Sequence, residues 1–265
     1  MSTFINSGLV SLNNRFNEVD LILKEAENQF DKNESLYNAL CRSAQVLLSA
    51  HFEGYLKDLV KNALDDINNF SSFGVSSNSL QRRLCEHFVI NYGEDKNSRI
   101  SNEKIKKLQE ILAGLDVKFK KEYFSHDENA NPKATILDKY AEMFGVKNFF
   151  GQLKKSRLDL VFSNTKADND LVCLEVEEYL LMTTSSFPYA AEISFLGIDD
   201  TKPSSLTLWD DFLSGVLKRR HDIAHGRELE NAVHYSVIEG DIIKIKLLVY
   251  AFTIFVCVVT NPVSH

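Results

Sequence analysis

FINSGLVSLNNRFNEVDLILKEAENQF, residues 4–30, places Ile5, Leu9, Leu12, Phe16, Val19, Leu23, Ala26 and Phe30 at alternating spacings of four and three, with polar residues filling much of the opposite face. That period is the apolar seam of a long α-helix. Residues 34–68 repeat it through Leu36, Leu40, Ala44, Leu48, Phe52, Tyr55, Leu59 and Ala63. Two such helices, joined by the polar turn near Asp31–Ser35, are expected to pair as an antiparallel hairpin.

The rest of the composition agrees with an all-α chain. Only 11 Gly and 4 Pro occur among 265 residues, too few to turn a meander of short strands. A formal charge of −7 argues against a surface that coats nucleic acid along its length, and leaves room for a local basic site. The four cysteines, Cys41, Cys85, Cys173 and Cys257, are far apart and read as buried free thiols in a reducing compartment. The N-terminus has no basic segment followed by an apolar one. The longest apolar run, Leu247–Thr260, falls short of the ~20 residues that span a bilayer and reads as a buried core helix. A soluble cytoplasmic protein with no membrane partner is expected.

A Ser/Asn-rich stretch between residues 68 and 78 ends the regular pattern. Shorter helices are expected near 79–91, 102–113, 132–144 (Asn131 as N-cap, Pro132 in the first turn), 146–161 and 169–182. His126–Asn131 and Ser185–Ser205 read as loops, with a short strand expected around Ile193–Leu196. Thr207 and Asp210 form a capping box ahead of Leu208, Trp209, Phe212 and Leu213, so a helix should run to about Ala224 and stop at Gly226. A last helix, about Asp241–Val259, is apolar on nearly all sides. The expected organisation is one domain over 1–265, with a hairpin at 1–68, an inserted, mostly helical region at 69–205, and a motif helix plus final core helix at 206–262.

The run Arg219-Arg220-His221-Asp222-Ile223-Ala224-His225-Gly226 holds the chemistry-bearing side chains. Trp209, Leu213, Val216, Arg220 and Ile223 follow four-three spacing, so Arg220 occupies an apolar-stripe position and Arg219 points elsewhere. A guanidinium there needs a partner, such as an ion pair with Glu53, or a wet cleft that holds phosphate. The spacing closely resembles the Arg-x4-6-His signature of HEPN ribonucleases, in which a polar residue, here His221, follows the Arg. Arg42–Leu48 and His51–Tyr55 resemble the second helix of the MAE-like HEPN branch. The resemblance covers roughly residues 1–68 and 206–260. Arg82 and His87 repeat the spacing without the capping box or the glycine stop.

The resemblance implies a HEPN-like helical bundle and a homodimer in whose cleft two motifs face each other. It implies cofactor- and metal-independent RNA cleavage to 2′,3′-cyclic phosphate and 5′-OH ends, in a toxin or phage-defence ribonuclease. The alternative is a non-catalytic HEPN module that binds RNA, a nucleotide or a protein. Arg220 would hold the phosphate and His225 would take or deliver a proton. His221, Asp222 and Glu53 are supporting candidates, His221 also reading as a solvated helix-end histidine and Asp222 as a surface residue. Arg220 and His225 are about 140° apart on an ideal helix, so they converge only around the helix end or across a dimer. Lys218, Arg219 and Arg227 suit RNA phosphates, or simply the negative end of the helix dipole. His51 reads as a satisfied core histidine. The Lys104–Lys107, Lys118–Lys121 and Lys154–Arg157 clusters are further phosphate contacts or solvated faces. An antitoxin or defence-system partner fits the resemblance, although the next Tyr after His225 is Tyr235, which disfavours control by tyrosine modification.

Overall fold

A computed structural model of the chain describes residues 2–90, 99–124, 135–154, 156–198, 207–227 and 233–262. Among them are nine α-helices and four short 3-10 turns, with no strand. α1 (Phe4–Gln29) and α2 (Glu34–Phe70) form the hairpin. Its antiparallel register is fixed by Phe4 and Ile5 on Asp66, Arg15 on Asp58 at 2.8 Å, Glu18 beside His51 at 3.3 Å, and Phe30 edge-on to Tyr37. All the seam residues of α1 from Ile5 to Ala26 are buried.

Asp66 ties the open end of this hairpin together. Fully buried, it accepts the Phe4 and Ile5 N–H groups at 2.8 and 3.0 Å and the Tyr189 hydroxyl at 2.7 Å. Its negative charge thereby meets two of the unpaired donors at a helix N-terminus. Burial nonetheless pushes its pKa above the usual carboxylate range, against the lowering effect of these hydrogen bonds.

The final helix, α9 (Tyr235–Thr260), is the central post of the bundle. It begins six residues before the expected Asp241, because Ile238, Ile242 and Ile245 continue the apolar rhythm through the polar start. By length and composition it could cross a bilayer, yet 78% of its most apolar window is buried within the fold. Tyr55 meets Thr253 at 2.9 Å, while Tyr250 donates to Asn13 at 2.6 Å and lies 3.0 Å from Glu177. These contacts join α9 to α1, α2 and α7 (Lys166–Thr183). All four cysteines are buried and free.

The middle region contains α3 (Asn78–Ile90), α4 (Arg99–Leu112), α5 (Thr135–Met143) and α6 (Phe149–Leu153). The helix expected over 146–161 is broken. Asn148 is left-handed with φ 51°, α6 lasts five residues, and Arg157–Phe162 forms a 3-10 turn whose first donor, Leu158 N–H, is taken by the Ser156 hydroxyl. The strand expected at Ile193–Leu196 is also a 3-10 turn. Among the described residues it has no neighbouring strand to pair with, and the Phe195 and Gly197 N–H groups turn back onto the Glu192 and Ser194 carbonyls. Phe195 stacks on Tyr179 at 3.6 Å, with the Arg157 guanidinium 4.4 Å from its ring. The Asn131 cap, Pro132 and the His126–Asn131 loop lie outside the described residues.

Candidate active site at the end of the motif helix

α8 (Leu208–Ala224) starts at the expected capping box: the Thr207 side chain accepts the Asp210 N–H at 3.1 Å, and the Asp210 carboxylate accepts the Thr207 N–H at 3.1 Å. Trp209, Leu213, Val216 and Leu217 bury its inner face, with Trp209 edge-on to Phe162 at 4.9 Å. The next position on that face is Arg220.

The two adjacent arginines part company. Arg219 forms an ion pair with Asp241 of α9, a carboxylate whose side chain is only 7% exposed. Burial raises the Asp241 pKa, opposed by Arg219 and Lys244. Arg219 therefore works as a strut between α8 and α9. Arg220 turns to α2 instead, where its Nη1 lies 3.8 Å from Glu53 Oε1. That separation is too long for a hydrogen bond, and the Arg220 guanidinium makes none among the described residues. Glu53 Oε1 is itself buried and without a hydrogen-bond donor. Its pKa is raised by burial, which outweighs the pull of Arg220 and Lys57. Gln45 and Ser49, two and one turns earlier on the same face of α2, are likewise buried with unpaired polar side-chain atoms.

The C-terminus of α8 is closed by a Schellman motif. Gly226 has φ 67°, the Arg227 N–H donates to Asp222 O at 2.9 Å, and the Gly226 N–H donates to Ile223 O at 3.0 Å. This fixes His225 as the exposed C-cap residue, its ring centroid 4.3 Å from that of His221. Asp222 pairs with Arg227 at 3.5 Å across the same turn. One chain thus holds an imidazole pair on one flank and Arg220 on another, as the helical rotation requires. Lys218 is exposed, as is Arg227.

The remaining expected residues fall elsewhere. His51 is mostly buried beside Glu18, and its pKa is lowered chiefly by burial. Arg82 of the repeated spacing is bound to Glu86 at 2.8 Å and Asn102 at 2.6 Å, and His87 packs on Tyr123. Among the lysine clusters, Lys118 binds the Asn68 carbonyl, and Arg157 grips Glu175 through two bonds. Lys155 lies outside the described residues. Asp241 was not foreseen as a partner, being an acid placed at the start of an apolar helix.

The family model described as RiboL-PSP-HEPN matches residues 11–258. The chain belongs to the HEPN family. The matched stretch runs from the hairpin through the middle region to the final helix. No curated protein and no solved structure matches the chain.

Proposed function

We propose that this HEPN protein is a metal-independent endoribonuclease, acting in the cytoplasm as a homodimeric toxin or phage-defence enzyme. The observation that carries the reading is Arg220, a half-buried guanidinium beside an equally unsaturated Glu53, on the same helix end as an exposed His225. A guanidinium with donors to spare suits a phosphodiester, whose oxygens accept in the same fork geometry. The ribose 2′-OH would attack the adjacent phosphorus as the P–O5′ bond breaks, leaving a 2′,3′-cyclic phosphate. The proton lost from the 2′-OH and the one gained by the 5′-oxygen would pass through His225 imidazoles. His221, in ring contact with His225, would set its orientation, and Asp222 would hold Arg227 at the rim. Because Arg220 and His225 lie on different flanks, a second copy of the motif would complete the cleft. Lys218 and Arg227 are the basic groups placed to meet the strand. An antitoxin or a defence-system partner would hold such an enzyme in check.

The contact between Arg220 and Glu53 also favours a second reading, a non-catalytic HEPN module in which the same pair holds a ligand without turnover. One experiment separates them. Purified protein is incubated with total bacterial RNA in EDTA beside His225→Ala and Arg220→Ala, and new ends are mapped. Ends bearing 2′,3′-cyclic phosphate with the wild type alone support the nuclease. Saturable RNA binding weakened by Arg220→Ala, with no new ends, supports the binding module.

A further inference from the structure

The inserted region holds a solvent-open cavity of about 300 Å³ between α3 and α5. None of its described lining residues belongs to α8. Arg82, Arg83 and Glu86 line it from α3, and Lys139 and Glu142 from α5. Arg82 is committed to Glu86 and Asn102, so these two charges cancel. Arg83 has no ion pair or hydrogen bond among the described residues, and its Nε–H is fully enclosed without an acceptor. Lys139 stands exposed, and the one further acid among the described lining residues is Glu142. Among its described lining residues the pocket therefore carries an excess positive charge and an arginine without a partner, which an anion would satisfy.

Its wall includes one glycine that the packing requires. Gly145 has φ 83°, and a Cβ there would sit 2.2 Å from the Ser79 hydroxyl. Only glycine lets the backbone pass that close to Ser79. The volume is at the lower end of ligand pockets, room for a compact anion with a small attached group. Among the described residues the lining offers Met143 as its one apolar side chain and no ring for a base to stack on, so recognition there rests on the anionic group.

We infer that this cavity binds a phosphate monoester, carried by a free nucleotide or by the 5′ end of an RNA strand, with Arg83 and Lys139 as its ligands. The site stands on its own geometry, and only the RNA source depends on the ribonuclease reading. The test uses full-length His225→Ala protein, so that no substrate turns over. Calorimetry measures binding of 5′-AMP and of a short oligoadenylate with and without a 5′-phosphate. Saturable binding of a phosphorylated probe is expected, weakened at least tenfold by Arg83→Gln and by Lys139→Gln and unchanged by Lys32→Gln at the distant hairpin turn. Binding of 5′-AMP assigns the free nucleotide, and preference for 5′-phosphorylated over 5′-OH RNA assigns the strand end. Absence of binding to every phosphorylated probe, or binding unaffected by both substitutions, overturns the inference. Lys139 is exposed, so its variant remains decisive if Arg83→Gln fails to fold.

Discussion

Replacing Arg219 with Ala isolates the strut between α8 and α9. The substitution leaves Asp241, whose side chain is 7% exposed, as a buried carboxylate without its partner. Breaking a buried ion pair from one side costs about 3–5 kcal/mol. Arg219 is itself 27% exposed and Lys244 also acts on Asp241, so water and a second cation recover part of this. We expect a net loss of about 2–3 kcal/mol, which for a chain of this size lowers the melting temperature by roughly 5–10 °C. Chemical denaturation at pH 7.5 measures the loss, with Lys218→Ala as an exposed reference that changes stability by less than ~0.5 kcal/mol. Adding Asp241→Asn should restore most of the deficit, because the orphaned charge is gone. The sign of the pH effect follows from the raised Asp241 pKa. A carboxylate that binds its proton more tightly in the folded state favours folding at low pH and loses that contribution as pH rises through the folded value. The Arg219→Ala deficit should accordingly shrink on acidification. An unchanged unfolding midpoint together with weakened RNA binding would refute the strut and return Arg219 to the substrate.

Glu53→Gln should keep the fold and lower RNA cleavage by about 10- to 100-fold by loosening the placement of Arg220, read from initial rates on a defined RNA. Tyr250→Phe should destabilise by about 1–2 kcal/mol in urea, since Asn13 and Glu177 lose a shared buried donor. Asp138, whose pKa is pushed up to about 6 by burial and then by Asp210 and Glu142, supports the fold below pH ~4, a contribution lost as pH rises through 6. Asp138→Asn should therefore be more stable than wild type at pH 7–8 and equal to it near pH 4, measured by thermal melts across that range.

The hairpin and the motif helix were legible because each is written in local rules: a seven-residue apolar rhythm in α1 and α2, a capping box at Thr207 and a left-handed glycine at 226. The start of α9 was not, since Glu239 and Asp241 look like solvent-facing residues until Arg219 supplies a partner for one of them from another helix. The same limit applies to Ile193–Leu196, where alternating apolar residues imitate a strand and only the absence of a pairing neighbour settles the turn. At the site, the stripe position of Arg220 foretold its approach to Glu53. The division of labour between Arg219 and Arg220 is a tertiary fact, invisible in two identical adjacent letters. The Arg83 cavity was hidden for a similar reason, being assembled from α3, α5 and one glycine conformation.

Gly226 can be regarded as a pivot with nothing packed on it among the described residues. A Cβ added there would meet none of their atoms within 4 Å, so among them the demand for glycine comes from the backbone torsion. Asn, which tolerates the left-handed region, should pass at this position, whereas a β-branched residue should unlatch the turn without disturbing any packing. The C-cap turn that carries His225 thus depends on one backbone torsion at residue 226, a place to loosen the imidazole end of α8 without removing any side chain from it.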